Sequence, residues 1–335
     1  MKSTICVSLA AALLLLGSGC AHKNVYEPAV VNAKAPRPAP LKKGLHNVVR
    51  EGAMLGSRSV VTKKSGIIKD MLPKGYYFVN ESEGKIIVAD SDGHLQIRDK
   101  ADGSVRFSAA FSAPVVSAAL HGNLLAMVLS DNTIVLYDIR ARRERYREAL
   151  GKVIAIDARA ANPVFVNDLI VFPTLDGRLL IMDSHSDTIL RDVALSDKEF
   201  FNNVIFLQVH DNILVAATAS KVVVITPTDI YTYQADIKDI LYLGHDIYLF
   251  TKDGKVIRLN EKLKKIEEKD FEFANFVAVA EMNGKLYGVE KGGYLIEMDR
   301  HLGDVRVKAL EEDVEQPVLI AGGKLYIGDK VIPLQ

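Results

Sequence analysis

The side chains that could do chemistry are the histidines, the carboxylates and the two cysteines, so their spacing comes first. His121, His210 and His245 share one slot, a turn between two apolar stretches, written His121-Gly122, His210-Asp211 and His245-Asp246. A metal centre needs its ligands converging at about 2 Å from one ion. These three fall on different copies of a repeated unit, and Asn167-Asp168 and Asn283-Gly284 fill the same slot elsewhere. Turn formation accounts for both residue types. His94, His185 and His301 also lie near turns, with no acid and nucleophile at useful spacing. Asp92, Asp131, Asp176 and Asp253 share a second turn position and would ring one face, again as turn chemistry predicts. The chain has no Gly-rich phosphate loop, no His-Glu-x-x-His helix and no nucleophile elbow. The expectation is no catalytic constellation, no metal site and no cofactor: a binding protein rather than an enzyme.

Charge excludes another class. Lys plus Arg and Asp plus Glu each total 42, so no global field points to nucleic acid. Locally the balance fails in one stretch, where Arg140, Arg142, Arg143, Arg145 and Arg147 crowd around Tyr146. It reads either as a solvated outer strand partly neutralised by Glu144 and Glu148, or as a docking patch, because Arg and Tyr are favoured at interface hot spots. Phe200 and Phe201 are adjacent in a polar loop and form the second candidate for partner binding, with capping of the core as the alternative.

These residues are positioned by a repeat. An apolar strand, a polar turn, a second apolar strand, a tight turn and a third strand recur, as in Gly84-KIIVADSDGHLQIR-Asp99 and Asn167-DLIVFPTLDGRLLIM-Asp183. Seven copies are counted, with tight turns at Asp92, Asp131, Asp176, Ser220, Asp253, Gly292 and Gly328. The intervals of 39, 45, 44, 33, 39 and 36 residues suit a four-stranded propeller blade. Asp-Gly and Gly-Gly supply the positive φ that a tight hairpin needs. Runs such as Val222-Val223-Val224-Ile225 suit strands covered on both faces by neighbouring blades. The expected fold is all-β, a seven-bladed propeller, with eight blades as the alternative. The seventh copy stops after its third strand, so a strand from residues 57–64 or 66–68 is expected to close the ring and remove its open edges.

The beginning of the chain reads as an address. Lys2, the apolar run from Ile5 to Leu16 and the small residues Gly17-Ser18-Gly19 form a signal peptide, residues 1–19. The run is too short to remain as a spanning helix. Cys20 follows and is the expected lipidation site, with an ordinary cleavage site and an incidental cysteine as the alternative. Cys6 leaves with the signal peptide, so a lipidated Cys20 leaves no free thiol. Residues 20–47, with Pro28, Pro36, Pro38 and Pro40, read as an extended tether, and 48–335 as the propeller. Ala21 rather than Asp after the cysteine resembles an outer-membrane address.

Lipobox, tether and repeats ending in Ile134-Val-Leu-Tyr-Asp138 or Leu179-Leu-Ile-Met-Asp183 together resemble the PQQ-like propeller lipoproteins, which include BamB-like members of the outer-membrane β-barrel assembly machinery. The resemblance covers nearly the whole mature chain and rests on repeat shape. It implies a lipid-anchored outer-membrane protein facing the periplasm, with envelope proteins, the barrel insertase among them, as partners held by loops of one face. Quinoprotein dehydrogenases share this architecture, but their blade-docking Trp is missing from a chain with no Trp. An enzyme or small-ligand sensor using the central channel, and a scaffold for another envelope machine, are the alternatives. A scaffold tolerates a plugged channel; an enzyme needs convergent polar groups in an open one.

Overall fold

A computed structural model describes residues 25–69, 71–196 and 200–334. The signal segment 1–19 and Cys20 lie outside the described residues. The strands of the described residues assemble into eight sheets arranged around a central channel, so the ring has eight blades rather than the seven counted from the repeats. Blade 1 spans 45–68, blade 2 77–110, blade 3 115–149 and blade 4 164–194. Blade 5 spans 206–234, blade 6 237–270, blade 7 276–309 and blade 8 318–333. In each blade the chain zigzags outward, antiparallel, from an innermost strand on the channel to an outermost strand on the rim.

The uncounted blade is the first, and its sequence explains why. Its second and third strands, Gly52–Leu55 and Val60–Thr62, hold only four and three residues. Their turn contains no Asp-Gly; Arg58 takes the left-handed conformation instead, with φ +66°. Residues 57–68, expected to supply the closing strand, form part of blade 1 itself.

Closure comes from further upstream. Ala39 and Pro40 pair antiparallel with Val331 and Lys330, supplying the outermost strand of blade 8. The Leu41 and Leu45 amides donate to the Asp329 and Gly328 carbonyls at 2.6 and 2.7 Å. Pro40 is tolerated because a rim strand needs hydrogen bonds on one side only. Ala33 and Lys34 add a fifth, parallel strand to blade 7 opposite Lys308 and Ala309. Part of the Pro-rich segment is thus built into the rim of two blades.

The buried residues sit between blades. Second strands and most third strands are buried on both faces, as in Lys221–Ile225, where all four residues after Lys221 are buried. Apolar side chains of adjacent sheets interdigitate in eight clusters, one per joint. Such continuous apolar packing supplies the driving force for a core without covalent staples.

Candidate binding surfaces

The channel is crossed by arginines. Arg50, in the first turn of blade 1, sends its guanidinium to blade 6, where Nη1 donates to the Asp239 carboxylate and Nη2 to the Ile240 carbonyl, both at 3.2 Å. On the way it stacks over Phe206 of blade 5, 4.7 Å from the ring centre. Arg159, in the connection between blades 3 and 4, donates to the Lys238 carbonyl of blade 6 and pairs with Asp157. Burial pushes the Asp239 carboxyl up, but Arg50, Lys63 and Arg159 outweigh it and hold the group below its ordinary value. Lys63 is exposed, yet the mass of protein around it, with repulsion from Arg50, lowers its pKa against the pull of Asp239 and Glu51. A cavity of about 540 Å³ remains on one side of Arg50, lined in part by Glu81, Glu83, His121 and Phe165.

The arginine-rich stretch runs from the turn at 139–142 into the outermost strand of blade 3, Arg143–Ala149, and most of its guanidinia are engaged. Arg145 bonds Asp187 at 2.8 Å and the Ser184 carbonyl at 2.8 Å, tying blade 3 to blade 4. Arg142 turns the other way, stacking 5.5 Å from the Phe107 ring centre of blade 2 and donating to the Ser108 carbonyl. Arg147 pairs with Glu144 at 2.7 Å and reaches Ser112. Arg140 and Arg143 remain exposed, with no side-chain partner among the described residues. The stretch therefore divides into three engaged arginines and two cations free to meet a partner.

Phe200 and Phe201 are exposed, at 50% and 58%, and so is Ile154, at 67%, the neighbour of the Ala155 to which Phe201 bonds. Two connections between blades are laced together here, through residues 150–163 of one and 200–205 of the other. The Phe201 amide donates to the Ala155 carbonyl at 3.1 Å, and Asn203 bonds both the amide and the carbonyl of Asp157. Phe201 is held at φ +50°, a conformation costing on the order of 1 kcal/mol for a side chain of this size. The lacing holds it there, so the apolar triad is presented on a braced platform. Ile154 has no counterpart among the sequence candidates, because a single Ile in an irregular stretch carries no periodic signal.

Several of the polar turns carry ion pairs. His121 and His245 pair with Glu83 at 3.0 Å and Glu261 at 2.9 Å, and His245 is pulled upward in pKa by Glu261. Among the described residues Asp90, Asp92 and His94 bring potential ligand atoms within 4.8 Å of one another. The Asp90 carboxylate already accepts from the Asp92 and His94 amides and contacts the His94 ring, which is the bonding of a tight turn.

Comparison with known proteins places this architecture. Two curated relatives, both named plasminogen-binding protein PgbB and both from Helicobacter pylori, are 29% and 28% identical to the chain over 331 aligned positions. Each match covers 85% of this chain and 61% of the relative, so the chain spans less than two thirds of those proteins. Among solved structures, BamB from Moraxella catarrhalis matches with a TM-score of 0.66 at 13% identity, over 92% of this chain and 99% of that one. Sqt1 of Saccharomyces cerevisiae matches with a TM-score of 0.63 at 11% identity, over 90% and 99%. At such identities these two speak for the fold. The family profile described as outer membrane protein assembly factor BamB matches residues 51–224, just over half of the chain and running from blade 1 into blade 5. With its eight blades and its repeat pattern, the chain belongs to that family.

Proposed function

We propose that this propeller is a protein-binding scaffold, held through Cys20 at the outer membrane and facing the periplasm, with a role like that of BamB in assembling outer-membrane proteins. The observation that carries the reading is the pairing of a bridged channel with a braced apolar platform. Arg50 spans the channel from blade 1 to blade 6, where a channel enzyme needs an open, convergent site. Ile154, Phe200 and Phe201 stand exposed on laced loops, where apolar groups mark contact sites. The curated relatives are named for binding a protein, which favours the same class.

The test is a mild-detergent pulldown of the full-length protein from envelopes, with the bound proteins identified by mass spectrometry. Recovery of the barrel insertase, lost in a variant carrying Ile154→Ser, Phe200→Ser and Phe201→Ser, supports the assembly role and places the contact on this platform. A second variant, Arg140→Ala with Arg143→Ala, tests the two free cations. Enrichment of no envelope protein over a control lipoprotein overturns the reading. The kinship with PgbB favours a second reading, capture of plasminogen, and an added arm with purified plasminogen separates it from the first.

A further inference from the structure

The eight joints between blades are not packed alike. Seven of the apolar clusters contain at least one aromatic ring, from Phe78 between blades 1 and 2 to Tyr326 between blades 8 and 1. The cluster between blades 4 and 5 contains none; it is built from Val, Leu, Ile and Ala. The same joint is open, with a cleft of about 400 Å³ lined mainly by aliphatic side chains.

The difference traces to two positions. Phe165, two residues before the first turn of blade 4, fills the joint between blades 3 and 4. Tyr242, two residues before the corresponding turn of blade 6, fills the joint between blades 5 and 6. In blade 5 that position is Val209, which lines the cleft. On the rim, Tyr231 pairs with Val224 in the outermost strand of blade 5 and packs into the joint with blade 6. In blade 4 the corresponding residue is Arg191, paired with Ile181 and also lining the cleft. The Arg191 side chain is exposed and makes no hydrogen bond or ion pair among the described residues. Asn167 and Asn212, hydrogen-bonded at 3.2 Å across the joint, contribute to the wall of the cleft.

We infer that the cleft between blades 4 and 5 is a binding site for an aromatic side chain of a partner polypeptide, flanked on that partner by a carboxylate that pairs with Arg191. Two facts select this occupant. The fold fills the equivalent space in the flanking joints with the chain's own Phe165 and Tyr242, so an aromatic ring is the shape the cleft is short of. The unpaired guanidinium at its edge complements an acid and stacks on an aromatic face. The volume lies near the small end of ligand pockets, roughly 300–1,000 Å³, enough for one or two side chains. This inference rests on the protein-binding reading and gives it a chemical specificity.

The test uses fluorescein-labelled linear peptides carrying one Phe or Tyr beside one Glu, controls with Ala in place of the aromatic residue, and oleate as a competitor. Binding is measured by anisotropy to the mature propeller and to Val209→Phe and Arg191→Glu. The aromatic-acidic peptides are expected to bind, with affinity falling at least tenfold in either variant, while Val209→Phe raises the urea midpoint by filling the cleft. Arg191 is exposed, so Arg191→Glu remains informative if Val209→Phe misfolds. Equal binding of the Ala controls, unchanged binding in both variants, or displacement of the peptide by oleate overturns the inference. Should the pulldown from envelopes succeed while these peptides fail to bind, the cleft assignment falls and the scaffold reading stands.

Discussion

Arg50 and Asp239, separated by 189 positions in the chain and by three blades around the ring, meet at 3.2 Å across the channel. Their side chains are only 8% and 14% exposed, so the pair is largely shielded from water, with Lys63 and Arg159 adding to the charge around Asp239. Removing one partner of such a pair costs up to about 3–5 kcal/mol, whereas replacing both by apolar groups is far milder. Arg50→Met is expected to lower the urea midpoint strongly, and Arg50→Met with Asp239→Leu to recover most of the loss. A double variant no better than the single one refutes the pair's role as a channel brace.

The same pair sets an acid limit. Asp239 is held below its ordinary value by Arg50, Lys63 and Arg159 despite its burial. A carboxyl lowered in the folded state contributes stability that is present above its unfolded value, about pH 4, and lost as pH falls through the lower folded value. Stability is therefore expected to drop below about pH 4 in the wild type and to drop less in Asp239→Asn, as read by urea titrations at pH 3, 4 and 6.

The five arginines of blade 3 separate into two classes that stability measurements distinguish. Arg145 bonds Asp187 and the Ser184 carbonyl in a half-buried setting, so Arg145→Ala is expected to cost about 1–3 kcal/mol. Arg143 is exposed without a side-chain partner, and Arg143→Ala is expected to stay within about 0.5 kcal/mol of wild type. Equal costs at the two positions contradict this division.

What the sequence made legible was local. The blade pattern stands out because tight polar turns and Val-Ile-Leu runs are short-range signals, and blades 2 to 8 carry them, with Asp-Gly itself in blades 2, 4 and 6. Blade 1 is hidden because its strands are short and Arg58 takes the place of a turn glycine. The closing strand is hidden because Ala39-Pro40 looks like linker, and only its pairing with Val331 and Lys330 reveals its role. Arg50, Asp239 and the open joint beside Val209 are relations between distant segments. Phe200 and Phe201 are legible as an unusual pair, and Ile154 joins them only through the bond from Phe201 to Ala155.

The N-terminal strap is expected to matter for solubility as well as stability. Tyr26 packs edge-on against Tyr294 and Phe271 at 5.7 and 6.3 Å, and Asn32 accepts from the Val307 amide at 2.8 Å. Removing residues 25–41 strips the outer edge from blades 7 and 8, and exposed edges template association. The truncated chain is expected to unfold at lower urea and to self-associate in light scattering, whereas Asn32→Ala alone costs about 1 kcal/mol. A truncated chain that stays monomeric and equally stable removes the strap from the account of ring closure.

Two glycines separate backbone freedom from close packing. Gly84 has φ +70°, and a Cβ added there would meet nothing within 4 Å, so Gly84→Ala meets only the left-handed penalty, about 1–2 kcal/mol. Gly254 has φ +91°, and a Cβ there falls 2.3 Å from the Phe271 carbonyl oxygen, which accepts the Ala274 amide. Gly254→Ala must therefore displace backbone that seals the joint between blades 6 and 7, where Phe271 and Phe276 pack. It is expected to cost at least about 3 kcal/mol more than Gly84→Ala, in line with the largest single-residue effects. Thermal unfolding of the two variants side by side checks the difference. Equal midpoints overturn the claim that the Asp-Gly turns of this ring are selected for close approach as well as for positive φ.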